Sequence, residues 1–203
     1  MSFSPCSILA NFHSKHLHLK RTNVLSNYLL QLALSGRGLD IGTGDGIIPE
    51  LMMKKNKNIM IDGVDIENPE IKNRKNIFIY DGKILPFKDN EYDFVLLIDV
   101  LHHVKNLSEF LREVKRVSKK NIIIKDHLCE NYFDYYRLKL MDWGGNSYRG
   151  IESYYQYLGS NEWLHLFKQQ ELHMISKKNI GIYNFPISIL AAKKLQVIFC
   201  LSK

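Results

Sequence analysis

Short apolar runs alternate with amphipathic stretches along most of the chain. An uninterrupted apolar run such as 94–98 is typical of a strand buried on both faces of a parallel sheet, and apolar residues spaced three and four apart are typical of a helix. This alternation predicts successive βαβ units, and therefore an α/β fold with an open, doubly wound sheet. The first predicted strand ends at Ile41. The other predicted strands are 59–66, 76–80, 94–98, 121–125, 172–180 and 195–201, and the predicted helices are 16–34, 47–55, 107–120, 132–141 and 161–170.

Local signals set several of the predicted helix ends. Asn106, followed three residues later by Glu109, is typical of a helix N-cap, and the lysine pair at 119–120 is favourable at a helix C-terminus. Ser35–Gly36 is a C-terminal signal for the first helix. The segment 142–146 contains two glycines and is expected to end the fourth predicted helix.

The last two predicted strands would form an antiparallel edge on a mostly parallel, seven-stranded, Rossmann-like sheet. No linker, repeat or low-complexity tract interrupts the chain, so we expect a single domain over residues 1–203. Within it, we expect a helical N-terminal segment at 1–36 and a cap at 128–170. The cap contains a stretch rich in tyrosine, 147–160, which is typical of a lid or a binding segment.

The composition is that of an ordinary globular protein, with 45% hydrophobic and 24% charged residues. A net charge of +7 would suit a nucleic acid or another anionic partner, but the lysines are scattered, which favours a solvated surface. Cys6, Cys129 and Cys200 have neither disulfide nor zinc spacing, which favours a reducing, cytoplasmic compartment. The sequence shows no signal peptide and no apolar run long enough to span a bilayer.

The main candidate binding site is the stretch from Asp40 to Gly46, where a strand turns into a helix. Gly42, Gly44 and Gly46 allow positive φ and a close approach of ligand to backbone, and the helix N-terminus supplies free N–H donors. The spacing is one residue shorter than the G-x-G-x-x-G of dinucleotide-binding folds. A nicotinamide cofactor is therefore disfavoured, and a tight turn without a ligand is the plain structural alternative.

Asp65 ends the second predicted strand. A carboxylate at the carboxyl end of a strand can accept hydrogen bonds from both hydroxyls of a ribose. Ribose is common to several cofactors, so Asp65 favours an adenosyl cofactor without identifying it.

Four segments, taken in order, resemble the class I S-adenosylmethionine-dependent methyltransferases. A lone G-x-G-x-G is weak evidence, but the order and spacing of all four segments make the resemblance specific. The Leu-His-His-Val sequence at 101–104 resembles the small-molecule "type 11" branch in particular. The four segments are Leu39–Gly46, Val64–Ile66, Asp81–Phe87 and Tyr92–Val104.

The resemblance implies S-adenosylmethionine as the cofactor and a small molecule as the methyl acceptor, at an O, N or C atom. Transfer would be an in-line displacement at the sulfonium methyl group, for which the protein mainly positions the acceptor. The resemblance implies that Gly42, Thr43 and Gly44 touch the methionine part of the cofactor, with Asp40 nearby, and that Gly46 also belongs to the cofactor-binding site.

The resemblance also implies roles around the adenosyl part. Asp65 would bind the ribose, and Ile66 would pack on the adenine. Asp81, with Gly82, would accept a hydrogen bond from the adenine amino group, although Asp-Gly is also a common turn. Asp99 would line the carboxyl end of the fourth strand.

An O or N acceptor must also lose a proton, and His127 is the leading candidate for the general base. It follows Asp126 at the end of the fifth predicted strand, where a carboxylate could orient the imidazole. His103 is the second candidate. The histidines within 13–18 have no carboxylate or cysteine partner at ligand spacing, so no metal site is expected there.

Three other functions are compatible with the sequence. The basic charge would suit an RNA methyltransferase, although no basic–aromatic binding module is evident. The fold could also serve a binding protein without catalysis. A nicotinamide-dependent dehydrogenase is disfavoured by the short glycine spacing.

Overall fold

A computed structural model describes residues 5–66, 77–146, 155–183, 188 and 192–203 of the chain. The strands are β1 (Gly36–Ile41), β2 (Ile59–Asp65), β3 (Ile77–Ile79), β4 (Tyr92–Ile98), β5 (Ser118–His127), β6 (His173–Asn179) and β7 (Gln196–Ser202). The helices are α1 (Pro5–Leu30), α2 (Ile47–Lys55), α3 (Leu107–Val117), α4 (Tyr132–Asn146) and α5 (Ser160–Gln169), with short 3-10 helices at Leu101–His103 and Lys193–Leu195.

The strands form one seven-stranded sheet in the order β3-β2-β1-β4-β5-β7-β6. Strands β1 to β5 are parallel, and β7 runs antiparallel between β5 and the edge strand β6. This confirms the predicted α/β fold with its antiparallel edge. The strand order reverses where β1 lies beside β4, with Leu39 paired to Val95. Ligands of open α/β sheets bind beyond the carboxyl ends of the strands at such a switch point.

Both faces of the sheet are buried along its central strands, which explains the uninterrupted apolar runs there, whereas the edge strands β3 and β6 are largely exposed. Along β4, Val95 and Leu97 belong to an apolar layer that also contains side chains of α3 and α5. Leu96 belongs to the opposite layer, which contains side chains of α1 and α2. Each fully buried side chain of this size stabilises the fold by about 1.5–3 kcal/mol, so the strand ends beside the switch point are held by packing on both sides.

Two helices follow the local signals closely. Helix α2 has the predicted bounds. Asn106 caps α3, because its side-chain oxygen accepts a hydrogen bond from the Glu109 backbone N–H at 3.3 Å and its amide donates to the Glu109 carboxylate at 2.9 Å. The prediction of this N-cap is confirmed.

The predicted bounds of the N-terminal helix are wrong. The helix begins at Pro5 and ends at Leu30, before Ser35–Gly36. Gly36 is instead the first residue of β1, with φ of 87°, and its N–H donates to the Asn58 carbonyl at 2.9 Å. A glycine with positive φ turns the chain into the sheet here, whereas the sequence pattern indicated only a helix stop.

Two further helix ends differ from expectation because of contacts with distant residues. The lysine pair at 119–120 lies within β5, since pairing of Ser118 with Tyr92 starts the strand immediately after α3. Helix α4 continues through 142–146 to Asn146. Asp142 lies inside this helix and accepts a hydrogen bond from the Tyr157 hydroxyl. The sequence prediction took account of the low helix propensity of the glycines but not of this tertiary contact.

Most of the predicted lid at 147–160 lies outside the described residues. Its described part, 155–159, has no regular secondary structure, and Ser160 begins α5. Among the helices of the described ranges, none combines the length and the apolar character needed to cross a membrane.

Candidate functional site

The glycine turn between β1 and α2 has the backbone conformation that its sequence predicts. Gly42, Gly44 and Gly46 have φ of 71°, 55° and 68°. The Gly42 and Thr43 N–H groups donate to the Val64 carbonyl at 2.8 and 3.3 Å, which ties the turn to the end of β2. All three glycines therefore occupy the left-handed region that other residues rarely adopt.

The surroundings of two of these glycines differ. A Cβ at Gly42 would lie 2.6 Å from a methyl carbon of Val100, whereas a Cβ at Gly44 would meet no atom within 4 Å. Gly42 is thus required for packing. Gly44 lies beside open space, where backbone can approach a ligand.

Asp65 connects the end of β2 to the same turn. One carboxylate oxygen accepts from the Gly44 N–H at 2.7 Å, and the other accepts from the Ile66 N–H at 2.8 Å. Burial raises the pKa of Asp65 above its usual value, and the two N–H donors offset only part of this increase. Each oxygen keeps capacity for a further hydrogen bond, so the fixed carboxylate can still accept from two hydroxyls.

Asp40 and Thr43 are buried beside the turn and hold unsatisfied polar atoms. Asp40 Oδ1 and the Thr43 hydroxyl have no hydrogen-bond partner among the described residues. Burial raises the pKa of Asp40 to about 7. A buried carboxylate oxygen without a hydrogen-bond partner is costly, so this position is suited to a ligand that brings a cation or an N–H donor.

Ile66, Asp81 and Gly82 lie together beyond β2 and β3. Ile66 is 55% exposed, and a Cβ at Gly82 would lie 3.5 Å from its methyl carbon. One Asp81 oxygen accepts from the N–H groups of Lys83 and Ile84 at 2.8 and 3.1 Å. These bonds lower the pKa of Asp81 and form a side-chain-capped turn, which leaves its other carboxylate oxygen for further contacts.

Asp99, at the end of β4, is paired with two cations. Its carboxylate contacts Arg21 of α1 and Lys125 of β5, and Lys125 also donates to Gln196 at 2.6 Å. Burial opposes ionisation, but Lys125 and Arg21 together hold the pKa of Asp99 well below its usual range. A second contact of α1, His18 to Asp45 at 2.8 Å, brings the helix to the glycine turn as well.

At the end of β5, the Asp126 carboxylate is shared by two histidines. Its Oδ1 lies 2.8 Å from His102 Nδ1 and 3.2 Å from His127 Nδ1, and its Oδ2 accepts from the Leu101 N–H at 3.0 Å. Asp126 and His127 therefore meet as predicted. His102 makes the shorter contact, but it was not among the candidate catalytic residues of the sequence analysis, which named its neighbour His103 instead. The half-buried His103 ring lies 4.1 Å from the His102 ring.

His102 also faces a second carboxylate. Its Nε2 lies 3.6 Å from Oδ2 of Asp142, which accepts a hydrogen bond from the Tyr157 hydroxyl. Burial lowers the pKa of His102, but Asp126 and Asp142 outweigh it and raise the pKa to about 9. His102 is therefore a cation at neutral pH, and it links the end of β5 to α4. No local spacing signals this contact between residues of separate elements.

Three side chains of this cluster are also of metal-ligand type. His102, Asp126 and His127 offer ligand atoms that lie within 4.8 Å of one another. The hydrogen bonds among them already satisfy these atoms, so their positions do not require an ion.

Comparison with known proteins shows similarity to methyltransferases. Residues 39–124 match the family model described as "Methyltransferase domain". A ubiquinone/menaquinone biosynthesis C-methyltransferase of Rickettsia felis is 26% identical over 172 residues, which cover 73% of this chain and 68% of that protein. A tRNA (carboxymethyluridine(34)-5-O)-methyltransferase of Schizosaccharomyces pombe is 32% identical over 108 residues, or 52% of this chain and 46% of that protein. The chain thus spans less than half the length of some curated relatives that it matches.

Among solved structures, a similar one is the putative methyltransferase in complex with a methyltransferase activator of Haloferax volcanii. It superposes with a TM-score of 0.70 at 15% identity, covering 95% of this chain and 94% of that one. At this identity the likeness concerns the fold.

Proposed function

We propose that this chain, whose residues 39–124 match the methyltransferase domain family, transfers a methyl group from S-adenosylmethionine to a small-molecule acceptor. The observation that carries the proposal is the hydrogen bond between Gly44 and Asp65 beside open space. It fixes a ribose-binding carboxylate next to a glycine that leaves room for the cofactor.

The residues around the turn fit this cofactor. The unpaired oxygen of Asp40 and the free hydroxyl of Thr43 suit the ammonium group of its methionine part. Asp65 suits the ribose. The backbone at Gly44 allows the close approach that a Cβ would prevent, and Gly42 and Gly46 hold the turn in its left-handed conformation. When bound, S-adenosylmethionine supplies a methyl group already activated on a sulfonium.

The adenosyl end and the end of β4 would complete the pocket. The exposed Ile66 supplies an apolar surface for adenine, and Gly82 keeps the space beside it clear. Asp81 would accept from the adenine amino group with the carboxylate oxygen that its turn leaves available. Asp99 would line the pocket with its charge already compensated by Arg21.

We assign removal of the acceptor's proton to His127. Asp126 lies at hydrogen-bond distance from its Nδ1 and would hold the proton there, which leaves Nε2 as the basic nitrogen. His102, charged and bound to the same carboxylate oxygen, would fix the position of Asp126. His103 is the alternative base in the same turn. General-base assistance of this kind contributes about 10²–10⁴-fold to the rate.

The first test is isothermal titration of the full chain with S-adenosylmethionine, S-adenosylhomocysteine and NAD. We expect both adenosyl ligands to bind, and Asp65→Ala to weaken them by about tenfold or more. Asp89→Ala, which removes an exposed carboxylate paired with Arg116, is the matched control and should bind normally.

Each outcome of the titration decides between the candidate functions. Absence of binding by both adenosyl ligands would overturn the proposal, and binding of NAD alone would indicate a dehydrogenase. With binding established, S-adenosylhomocysteine release is measured over a panel of phenols, quinols and amines. Binding without turnover on any acceptor would indicate a protein of this fold that does not catalyse transfer.

The second candidate function is methylation of RNA. It is favoured by the net charge of +7 and by the similarity to a yeast enzyme whose name gives tRNA as its substrate. RNA-dependent S-adenosylhomocysteine release, with an RNA affinity that falls steeply as salt rises, would support it over the small-molecule acceptor.

A further inference from the structure

Helix α4 has a stripe of large apolar side chains that the other described residues leave exposed. Tyr132, Phe133, Tyr136 and Leu140 are 85%, 70%, 66% and 50% exposed. At 3.6 residues per turn, these four positions fall within an arc of about 100° on one side of the helix. We call them the α4 stripe. A contiguous exposed apolar patch of this kind typically marks an interaction surface.

The opposite side of α4 provides its attachment to the protein. Leu138 is fully buried in a small apolar cluster with Tyr157 and Leu195. Asp134 is buried and paired with Lys194 at 2.8 Å. Within the described part of the chain, the α4 stripe is therefore additional to the helix's own packing face.

Basic residues border the α4 stripe. Arg137 and Lys139 lie on its two sides in the helical register, and the Arg137 guanidinium lies 5.4 Å from the centre of the Phe133 ring. The acids of this helix, Asp134 and Asp142, are both buried. The outer side of α4 therefore combines aromatic and aliphatic side chains with positive charge. Helices with this combination bind in the interface of a membrane.

We propose that the α4 stripe docks on the surface of a membrane that contains anionic lipids. The aromatic and leucine side chains would enter the boundary between headgroups and acyl chains. Lys139 would reach the anionic headgroups while its stem stays on apolar surface. The net charge of +7 adds a long-range attraction to the same surface.

Other occupants fit these observations less well. A two-fold contact between copies of the chain would bring the cations that border the stripe close to one another. RNA would need several cations in contact with phosphates, whereas the α4 stripe itself is apolar and Arg137 and Lys139 are the two basic residues of this helix.

Docking through α4 would also bring the membrane to within one helix diameter, roughly 10 Å, of the candidate acceptor site, which lies on the opposite side of this helix. Asp142 of this helix faces His102, which shares the Asp126 carboxylate with His127. An acceptor dissolved in the bilayer would then enter from the docked side. This consequence rests on the proposed function, whereas docking itself does not.

The test is flotation of the full chain with vesicles of phosphatidylcholine, alone or mixed with phosphatidylglycerol. We expect binding to the anionic vesicles, and we expect the double substitution F133S/Y136S to weaken it by about tenfold or more. The control is M60S/I175S, which removes two side chains of similar exposure, 63% and 59%, from strands away from α4. Circular dichroism verifies that both variants are folded.

The charge contribution is tested separately. Lys139→Glu should weaken binding to anionic vesicles by about tenfold, whereas the matched change Lys168→Glu on α5 should not. Failure of the wild-type chain to float, or equal flotation of the stripe variant and its control, would overturn the proposal. So would loss of RNA binding or of a dimer in the stripe variant while vesicle binding is unchanged. The assay needs no methyl acceptor, so failure of docking leaves the proposed function in place.

Discussion

The ring Nδ1 of His102 lies 2.8 Å from Oδ1 of Asp126, although His102 belongs to the 3-10 helix after β4 and Asp126 to the end of β5. The Asp126 carboxylate was expected to orient its sequence neighbour His127. It lies closer to His102, in the turn after β4. Both side chains are almost completely buried. The strength of this ion pair therefore depends on the protonation of His102, which leads to the first prediction.

We predict that stability falls as pH rises from about 6.5 to about 9 because His102 loses its proton in that range. Asp126, Asp142 and, more distantly, Asp99 raise its pKa from 6.5 to about 9, and His127 lies beside it. The folded state binds this proton more tightly than the unfolded state. The contribution is therefore complete below pH 6.5 and disappears above pH 9, with a slope of up to about 1.4 kcal/mol per pH unit.

Urea unfolding at a series of pH values measures this dependence. His102→Gln should lower the free energy of unfolding at pH 6 and remove most of the slope between pH 7 and 9. His165→Gln, on the exposed side of α5, is the control and should keep the wild-type slope. An unchanged slope in His102→Gln would show that another group titrates.

The glycine turn allows a second prediction, in which two similar substitutions have different effects. Gly42→Ala should destabilise the fold by more than about 2 kcal/mol, because it adds both a contact with Val100 and an unfavourable φ. Gly44→Ala should cost only about 1 kcal/mol, from its φ alone. It should nevertheless weaken S-adenosylmethionine binding by about tenfold or more, because the new methyl group occupies the open space.

Urea unfolding and isothermal titration separate these two effects. Gly181→Ala is the control, since a Cβ there also meets nothing within 4 Å and the residue lies outside the turn. Normal cofactor binding by Gly44→Ala would place the cofactor elsewhere.

A third prediction concerns the buried charge of Asp40, whose pKa burial raises from 3.8 to about 7. Between these pH values the folded state holds a proton that the unfolded state has lost, so without ligand stability falls as pH rises through this range. Asp40→Asn should therefore stabilise the ligand-free protein at pH 8, by about 1–3 kcal/mol. The same change should weaken S-adenosylmethionine binding, because the ammonium loses its carboxylate.

Thermal unfolding and titration at pH 6 and pH 8 test both parts. In the wild type, cofactor affinity should increase across this range as Asp40 ionises, and in Asp40→Asn this increase should be absent. If Asp40→Asn were less stable than the wild type at pH 8, the buried Asp40 charge would not be an unfavourable, uncompensated one in the ligand-free protein.

A fourth prediction addresses the general base. On an O or N acceptor found in the screen, His127→Gln should reduce kcat/KM by about 10²–10⁴-fold while cofactor affinity is unchanged. His103→Gln should have a much smaller effect. A larger loss in His103→Gln than in His127→Gln would reverse the assignment of the two histidines.

Much of the fold was predictable because its signals are local. The bounds of α2, the cap at Asn106 and the buried strand at 94–98 follow from propensity, capping and periodicity within a few residues. The glycine turn was equally predictable, since three alternate glycines after a strand indicate positive φ wherever the rest of the chain lies.

Helix ends were less predictable where a distant contact competes with a local signal. The glycines at 144–145 indicated a stop, yet α4 continues past them, with Asp142 anchored to Tyr157. The lysine pair at 119–120 suited a helix end, but pairing with β4 made it part of β5.

The alternation of strands and helices, the glycine turn and the acid at the end of β2 could all be predicted from the sequence, because each depends on residues close together in the chain. The contact of His102 with Asp126 and that of Arg21 with Asp99 became evident from the folded structure alone. These contacts depend on strand order and on the direction in which each strand end presents its side chains. Both are set by packing over the whole sheet, and the spacing of residues along a short segment carries no information about that packing.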